Sequence, residues 1–380
     1  MPSSQPFDVW QPQQDALRRG DAAGPSDGRG LSILRIETIR DVQPLDTQIG
    51  VFPKQTVPTI LRDVVFGEPA PSDAEIDAAS GDPAAVPPLN TYAILDAASI
   101  INLPEMLEDS GLEHRCLFRG EAYTKLKSVA PWIVRLEEDN GFTRNLFTRS
   151  NAGWHLWDRE PGIFLRSRGS LDEMCRHFRK FTKVQDENGK WFYSRFWDSK
   201  GAANPLFDFM SSQKDGLHHA WFFANIGAEI KKYIYFHYKT GVVRIASTEK
   251  PCRSRGRLPS PVFSRQQRDH YAHYMIEWRC YKIAQLMKSE FNDALSDWDT
   301  EALQDLFIRC TYRMRRYGIR QQEYLKQIFF WEVFVNKSFE EKPGYEPVLA
   351  VLNKDKREPV KFEEVKREME LISSRSMHGQ

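Results

Sequence analysis

Hydrophobic residues follow two different spacings along the chain, and the change between them divides it into two lobes. Between residues 91 and 248, short apolar runs alternate with amphipathic segments, as in strands and helices that pack in layers. From residue 266 onward, apolar residues recur at helical spacing. The pattern predicts an α/β N-terminal lobe, with a mixed sheet and flanking helices, followed by a smaller all-α C-terminal lobe.

Apolar runs with turn residues between them predict the strands of the N-terminal lobe. Between two of these runs, Ser170 and Glu173 form an S-x-x-E capping box, which predicts the start of a helix. Asn188-Gly189 predicts a tight hairpin, because both residues tolerate the positive φ angles of such a turn. The strand candidates are TYAILDA (91–97), HRCLFRG (114–120), APWIVRL (130–136), GIFLRS (162–167) and the pair within IYFHYKTGVVRIAST (234–248).

The stretch KWFYSRFWD (190–198) follows this hairpin and is largely apolar on both faces of a strand. Such a strand is typical of the centre of a sheet, so we expect Arg195 to be desolvated. A buried arginine needs a carboxylate partner, and Asp198 and Asp96 each lie at the end of a predicted strand. We therefore expect Arg195 to form a structural ion pair with either carboxylate, whose loss in Arg195→Ala costs on the order of 3 kcal/mol.

Composition divides the rest of the chain. The first residues are rich in Pro, Gln, Ser and Gly and cannot bury enough apolar surface to order themselves. The stretch 67–90 has five acidic residues and no basic one, and it is typical of a linker or an insertion. We divide the chain into a flexible arm (1–30), an early strand with the acidic Pro- and Ala-rich linker or insertion (31–90), the α/β lobe (91–248), a Pro-, Ser- and Arg-rich linker (249–265) and the helical lobe (266–380).

Charge and cysteine content limit the classes of function. The 53 Lys and Arg residues nearly balance the 52 Asp and Glu residues, so the whole chain has no general preference for nucleic acid or an anionic membrane. No apolar run approaches the roughly 18 residues of a membrane span, and the N-terminal sequence does not resemble a secretion signal. The five scattered cysteines contain no C-x-x-C and favour reduced thiols. We expect a cytoplasmic protein.

Candidates for catalytic chemistry are weak. His270, His273, Glu277 and Cys280 share one side of a predicted helix and offer metal-ligand atoms. Tyrosine and tryptophan residues interleave with them, so we favour a partly buried amphipathic helix over a metal site. Phosphate-loop, dinucleotide, nucleophile-elbow and zinc-protease motifs do not occur in the sequence. We expect no catalysis, no cofactor and no metal, with a metal-dependent enzyme of unrecognised type as an alternative.

A second alternative is a nucleic-acid-binding module that uses the segment 231–288. The segment carries thirteen Lys or Arg residues against three acidic ones, with aromatic residues between them. Because the whole chain is nearly neutral and the acidic stretch 67–90 could shield this segment, we favour a solvated or protein-binding surface.

The order of several blocks resembles a known family. The blocks are YAILDAA, LFRG before APWIVRL, GIFLRSRGSLDEMCRHFRKFTKV, the Asn-Gly turn and RFWD. Together they resemble the adaptor-chaperones of bacterial type VI secretion, often called Tap or Tec proteins, over roughly residues 91 to 223. That family usually continues its arginine strand with Pro and Arg. Here Ser199 and Lys200 stand in their place, while Arg195 and Asp198 are retained.

The resemblance implies a non-enzymatic cytoplasmic chaperone that binds one toxic effector, typically its N-terminal region, and helps to load it onto the VgrG spike. It does not identify the contact surface, for which we infer the groove between the two lobes. Tryptophan and tyrosine dominate binding hot spots, so we look for aromatic anchors. The candidate effector-binding residues are Trp221, Phe222, Tyr233, Tyr235, Trp278 and Trp331.

A dense apolar run in the helical half adds a further candidate surface. The run comprises Phe329, Phe330, Trp331, Phe334 and Val335. Its helix is expected either to be buried all round or to expose a stripe for docking.

Overall fold

The computed structural model describes residues 34–198, 223, 230–238, 240–248, 262–335 and 337–378. The predicted arm at 1–30, most of the predicted linker at 249–265, and the residues Ser199 and Lys200 lie outside the described residues. No helix within the described ranges is long and apolar enough to cross a lipid bilayer.

Two sheets form the framework of the N-terminal lobe. The described strands are β1 (Leu34–Ile39), β2 (Asn90–Asp96), β3 (His114–Cys116), β4 (Pro131–Leu136), β5 (Gly162–Ser167), β6 (Lys183–Asp186), β7 (Trp191–Tyr193), β8 (Ile230–His237), β9 (Val242–Thr248) and β10 (Val262–Phe263). Seven form one sheet in the order β1-β9-β8-β5-β2-β4-β3, with neighbours antiparallel. In the small sheet, β6 pairs in parallel with β10 and antiparallel with β7. The strands predicted from 91 to 167 and from 234 to 248 are confirmed.

The central strands of the larger sheet are buried on both faces. On β2, Ala93 and Leu95 join the apolar core on one face, while Tyr92 and Ile94 join the core on the other. Strands β5 and β8 alternate in the same way. Successive side chains of a strand point to opposite faces, so this pattern requires cover on both sides of the sheet. The predicted α/β lobe is confirmed.

Short helices supply that cover. Helix α6 packs Met174 and Phe178 against the same face as Tyr92, whereas α3 and α5 cover the opposite face. The capping box predicted at the start of α6 is confirmed: Ser170 Oγ accepts a hydrogen bond from the Glu173 N–H, and the Glu173 carboxylate accepts one from the Ser170 N–H. The helices of this lobe are α1 (Arg62–Val65), α2 (Asp73–Ala78), α3 (Leu103–Ser110), α4 (Gly120–Leu126), α5 (Gly141–Phe147) and α6 (Leu171–Arg179).

The stretch 190–198 is shorter and more exposed as a strand than predicted. The Asn-Gly hairpin is confirmed, with Gly189 at φ +77° between β6 and β7. Strand β7 lies at one end of the small sheet, and the Trp191 and Tyr193 side chains are about half exposed. The prediction of a central buried strand is therefore wrong. Part of its apolar character belongs to the turn that follows, where Phe196 stacks on Phe178 of α6.

The acidic stretch 67–90 begins and ends at one side chain. Arg166 is buried on β5, and its Nη2 donates hydrogen bonds to the carbonyl oxygens of Gly67 at 2.7 Å and Leu89 at 2.9 Å. Because the two ends of the stretch meet at this guanidinium, the structure favours an insertion over a linker.

A carboxylate from the middle of the insertion is also fastened to the sheet. Glu75 accepts hydrogen bonds from Arg168 Nε at 2.7 Å and from the Ser72 N–H at 2.9 Å, and Lys231 Nζ lies 3.1 Å from it. Burial acts to raise the pKa of Glu75, but the hydrogen bonds from Ser72, Arg168 and Lys231 outweigh it and lower the pKa to about 2. The insertion is thus held at its ends and at its middle.

Among the described residues, five helices form the C-terminal lobe around a separate apolar core. Asp299 caps the second of them, since its Oδ1 accepts a hydrogen bond from the Ala302 N–H at 2.6 Å. The predicted all-α lobe is confirmed. Its helices are α7 (Arg265–Glu290), α8 (Thr300–Arg316), α9 (Gln322–Phe334), α10 (Glu346–Leu352) and α11 (Glu358–His378).

Ion pairs connect α7 to the N-terminal lobe. Arg268 Nη1 lies 3.2 Å from Asp186 Oδ2, and Lys282 Nζ lies 3.5 Å from Glu160 Oε1. The buried apolar cluster of the helical lobe shares no residue with the two clusters of the α/β lobe. Among the described residues, polar contacts therefore contribute to the junction between two separately packed lobes.

Candidate functional site

Arg195 joins two segments that lie far apart in the sequence. Its Nη2 donates a hydrogen bond to Asp96 Oδ2 at 2.6 Å, and its Nε donates to Asp198 Oδ2 at 3.4 Å. We term these three residues the arginine junction. The sequence pointed to either carboxylate as the partner of Arg195, and the structure brings both to the same guanidinium.

Local turns orient each carboxylate of the arginine junction. Asp96 ends β2, and its side chain accepts hydrogen bonds from the Ala98 N–H at 3.2 Å and from Ser99 Oγ at 2.8 Å. Such bonds to residues just ahead in the chain are typical of an aspartate that starts a turn. On the other side, the Asp198 N–H donates to the Arg195 carbonyl oxygen at 2.9 Å, which folds Asp198 back toward the guanidinium.

The arginine junction lies at the boundary between core and solvent. Asp96 and Asp198 are buried, whereas 36% of the Arg195 side chain is exposed, so the expectation of a desolvated arginine is wrong. The guanidinium carbon lies 5.8 Å from the centroid of the Trp197 ring. Contacts of this kind fix the turn after β7 to the end of β2, so the junction is suited to positioning the chain.

A contiguous aromatic surface lies on the helical lobe. The Phe330 and Phe334 ring centroids on α9 are 4.6 Å apart, and both rings contact Phe291, just past the end of α7, at 5.9 and 5.2 Å. Phe291 and Phe330 are each 37% exposed, and neighbouring Val335 is 44% exposed. We term these four residues the aromatic patch. Aromatic residues that remain in contact at a surface are typical of a protein-binding site.

The apolar run on α9 is divided between core and surface. Phe329 is buried and stacks on Phe307 of α8, with ring centroids 4.4 Å apart. Trp331 is buried too and packs against Phe362 of α11. Phe330 faces outward between them. The helix is therefore not buried all round: it exposes an apolar stripe, as the second alternative from the sequence has it.

Most of the described aromatic candidates are core residues. Tyr233 and Tyr235 lie on β8 and point to the face covered by α6, where they are buried with Phe178. Trp331 is buried in the helical lobe, and Trp278 on α7 is half-buried. Trp221 and Phe222 lie outside the described residues. The structure does not bring the four described candidates to one surface.

The candidate metal ligands on α7 have different partners. His273 Nε2 lies 3.1 Å from Glu277 Oε1, and the Glu277 hydrogen bond raises the pKa of His273. The other ring nitrogen of His273 contacts the Tyr312 hydroxyl. Cys280 is buried, which raises the pKa of its thiol to about 11. Within the described part of the chain, no three His, Cys, Asp or Glu side chains are grouped so that they could hold a metal ion.

Several basic side chains of the segment 231–288 pair with carboxylates. Lys231 contacts Glu75 of the acidic insertion at 3.1 Å, which brings the insertion and this segment together as the sequence suggested. Arg268 and Lys282 pair with acidic residues of the α/β lobe. Arg265 contacts Asp269 within the helix at 3.6 Å. These contacts offset part of the positive charge of the segment.

Sequence reasoning missed two residues that hold important positions in the structure, Arg166 and Phe291. Arg166 was a detectable signal, because it is the charged residue of the otherwise apolar strand GIFLRS. Phe291 could not be found from the sequence, because it is an isolated aromatic residue within SEFNDAL. It contacts Phe330 only when α7 and α9 pack together.

One family comparison gives a match. Residues 91–214 match the model of a family described as a domain of unknown function, DUF4123. Domains of this family are associated with effector adaptors of type VI secretion. The match covers about a third of the chain and spans β2 to β7, including the arginine junction. No curated protein and no solved structure matches the chain.

Proposed function

We propose that the chain is a cytoplasmic adaptor that binds a toxic effector of type VI secretion and helps to load it onto the VgrG spike. The family match over 91–214 carries this proposal. The blocks that resemble the type VI adaptor-chaperones lie within that range. The adaptor acts by binding its partner protein. It needs no catalysis, no metal and no cofactor.

The aromatic patch is the surface that we assign to effector binding. Phe291, Phe330 and Phe334 supply adjoining rings, and aromatic residues give much of the affinity in protein interfaces. Val335 extends the exposed apolar surface at the end of α9. We propose that the N-terminal region of the effector covers this patch, and that contact with VgrG is transient.

Co-expression with the products of neighbouring genes tests the proposal. We expect the tagged full-length chain to recover one large effector, and the mass of the complex to give one copy of each. Separate elution of every neighbour's product from a sizing column would contradict the adaptor function. Stoichiometric metal in the purified chain, or salt-sensitive binding of nucleic acid, would instead favour one of the alternative functions.

Surface variants test the assignment to the aromatic patch. Phe330→Ser with Val335→Ser is expected to weaken effector binding about tenfold or more, because both side chains lose apolar contact area. The matched control is Val360→Ser with Leu371→Ser, which changes two similarly exposed apolar residues of α11. Equal affinity of both double variants would remove the patch from the interface and leave the adaptor function standing.

A further inference from the structure

The loop between Leu45 and Val57 presents the two most exposed large apolar side chains among the described residues, with a third beside them. Phe52 is 96% exposed, Ile49 is 87% exposed and Val51 is 50% exposed. Water contact on this scale is unfavourable for three apolar side chains within four residues. A surface of this kind is typical of an interaction site.

Both ends of the loop are fixed in the core. Leu45 and Val57 are buried members of the apolar cluster on one face of the larger sheet. Leu45 also exchanges backbone hydrogen bonds with the chain near Thr148, donating to the Phe147 carbonyl at 2.8 Å and accepting from the Arg149 N–H at 2.9 Å. The exposed tip therefore projects from a rigid base.

A glutamine side chain closes the loop across its neck. Gln48 is buried; its Nε2 donates to the Gln55 carbonyl at 3.0 Å, and its Oε1 accepts from the Gln55 N–H at 2.7 Å. The Val51 N–H donates to the Gln48 carbonyl at 3.3 Å, and Gly50 within this turn has φ +75°, which favours glycine. These bonds fix the loop in one shape and hold its apolar side chains outward. We term residues 49–53 the apolar finger.

The charges around the base of the finger are balanced. Four basic residues lie here, and four acidic residues match them. They are Lys54, Arg62, Arg144 and Arg149, and Asp46, Glu138, Asp139 and Asp158. A loop that inserts into an anionic membrane surface needs an excess of basic residues, which this loop does not have. The balance favours a neutral apolar pocket on a protein.

We propose that the apolar finger inserts Phe52 and Ile49 into an apolar pocket on a folded part of the effector. This inference rests on the proposed function, which gives the chain one stable partner. A convex, pre-shaped tip fits a concave pocket, and its fixed shape reduces the entropy lost on binding. The finger projects from the α/β lobe, whereas the aromatic patch lies on the helical lobe, so the finger is a second contact in addition to the patch.

Affinity measurements with the purified effector from the co-expression experiment test the finger. The double variant Ile49→Ser with Phe52→Ser is expected to bind about tenfold or more weakly, because two apolar side chains lose their pocket. Its melting temperature should not change, since both side chains are exposed in the free chain. The matched control, Ile101→Ser with Trp154→Ser, removes two exposed apolar side chains elsewhere on the same lobe and should bind as the wild type does.

A third variant separates the contribution of the fixed loop shape from that of the apolar side chains. Gln48→Ala keeps Ile49 and Phe52 but removes both side-chain bonds across the neck. We expect an intermediate loss of affinity, about threefold, because the loosened finger must be ordered on binding. In addition, the photo-crosslinking residue p-benzoylphenylalanine at position 52 should form a covalent adduct with the effector.

Each outcome of these experiments has a defined meaning. Wild-type affinity in the Ile49→Ser, Phe52→Ser variant would overturn the finger while leaving the adaptor function intact. An equal loss in the matched control would do the same. Crosslinking between two copies of this chain, or flotation of the wild type with phosphatidylglycerol vesicles, would overturn the choice of partner. Failure of the wild type to bind any neighbouring effector would overturn the proposed function and the finger together.

Discussion

Arg195 and Arg313 are both held between two carboxylates, but they differ in how far they are withdrawn from water. Arg313 on α8 pairs with Glu332 and Glu340, and its side chain is 15% exposed, compared with 36% for Arg195. Glu332 also accepts a hydrogen bond from the Ser338 N–H at 3.0 Å. Both glutamate side chains are fully buried.

This difference shows that the same set of charges can have different energetic roles. Burial raises the pKa of Glu332, while the Ser338 hydrogen bond and Arg313 act in the opposite direction. Removing Arg313 would leave two carboxylates inside a helical core. Removing Arg195 would leave two carboxylates beside a solvent-exposed position that water can enter. The comparison therefore predicts a larger stability loss in the helical lobe.

The largest effect is expected at Arg313. Arg313→Met should lower the free energy of unfolding by about 3–5 kcal/mol, because the buried glutamates lose their cation. Urea unfolding followed by far-UV circular dichroism measures this change. Arg309→Met is the control, since Arg309 is exposed on the same helix. A loss no larger than that of the control would show that Glu332 and Glu340 do not depend on Arg313.

A smaller effect is expected at the arginine junction. Arg195→Ala should cost about 2 kcal/mol, less than the sequence suggested, because solvent can replace part of the guanidinium. The same unfolding experiment gives the value, with exposed Arg176→Ala on α6 as the control. A stability loss equal to that of Arg313→Met would show that solvent exposure does not reduce the effect of losing the arginine. Unchanged stability would show that the junction does not hold the turn after β7.

The fastening of the acidic insertion should depend on pH. The folded pKa of Glu75 is about 2 against an ordinary value of 4.5, so its ionised form stabilises the fold above about pH 4.5. This contribution is lost as the pH falls from about 4.5 to about 2. At pH 7, Glu75→Gln should cost about 1 kcal/mol. The difference from wild type should vanish near pH 2.

Thermal unfolding of both proteins across this pH range measures the effect. Exposed Asp77→Asn on α2 is the control and should differ little from wild type at any pH in the series. A Glu75→Gln difference that stays constant from pH 7 to pH 2 would contradict the assignment of the stabilisation to the ionised carboxylate.

The smallest effect is expected within the arginine junction itself. A double-mutant cycle with Arg195→Ala and Asp198→Asn should give a coupling energy of about 0.5 kcal/mol, since their contact is long, at 3.4 Å, and reaches solvent. The matching cycle with Asp96→Asn should give more, because that contact is 2.6 Å. Equal coupling energies would mean that the two carboxylates share the guanidinium evenly.

Local patterns were sufficient for most of the fold. The alternation on TYAILDA, the Ser170–Glu173 capping box and the Asn188-Gly189 hairpin each depend on residues close together in the chain. Sequence was insufficient for 190–198, because aromatic residues in a packed turn have the same composition as those in a buried strand. Composition alone does not distinguish these two environments.

The candidate surfaces depended more strongly on packing. Tyr233 and Tyr235 have the residue types of binding anchors but lie under α6, whereas Phe330 on α9 remains exposed between buried neighbours. The aromatic patch also needs Phe291, which is nearly forty residues from Phe330 in the sequence. Whether an apolar side chain is buried depends on which element packs over it, and that is a property of the tertiary structure.

The sequence by itself determined the two-lobed division, most strand and helix positions, and the charge partners available to Arg195. These features follow from local spacing, turn chemistry and the need to neutralise a charge near the core. Only the tertiary structure decided that Asp96 and Asp198 share Arg195, that Arg166 closes the acidic insertion, and that Phe52 and Phe330 stay exposed. Each of these depends on contacts between segments distant in the chain, which no local pattern encodes.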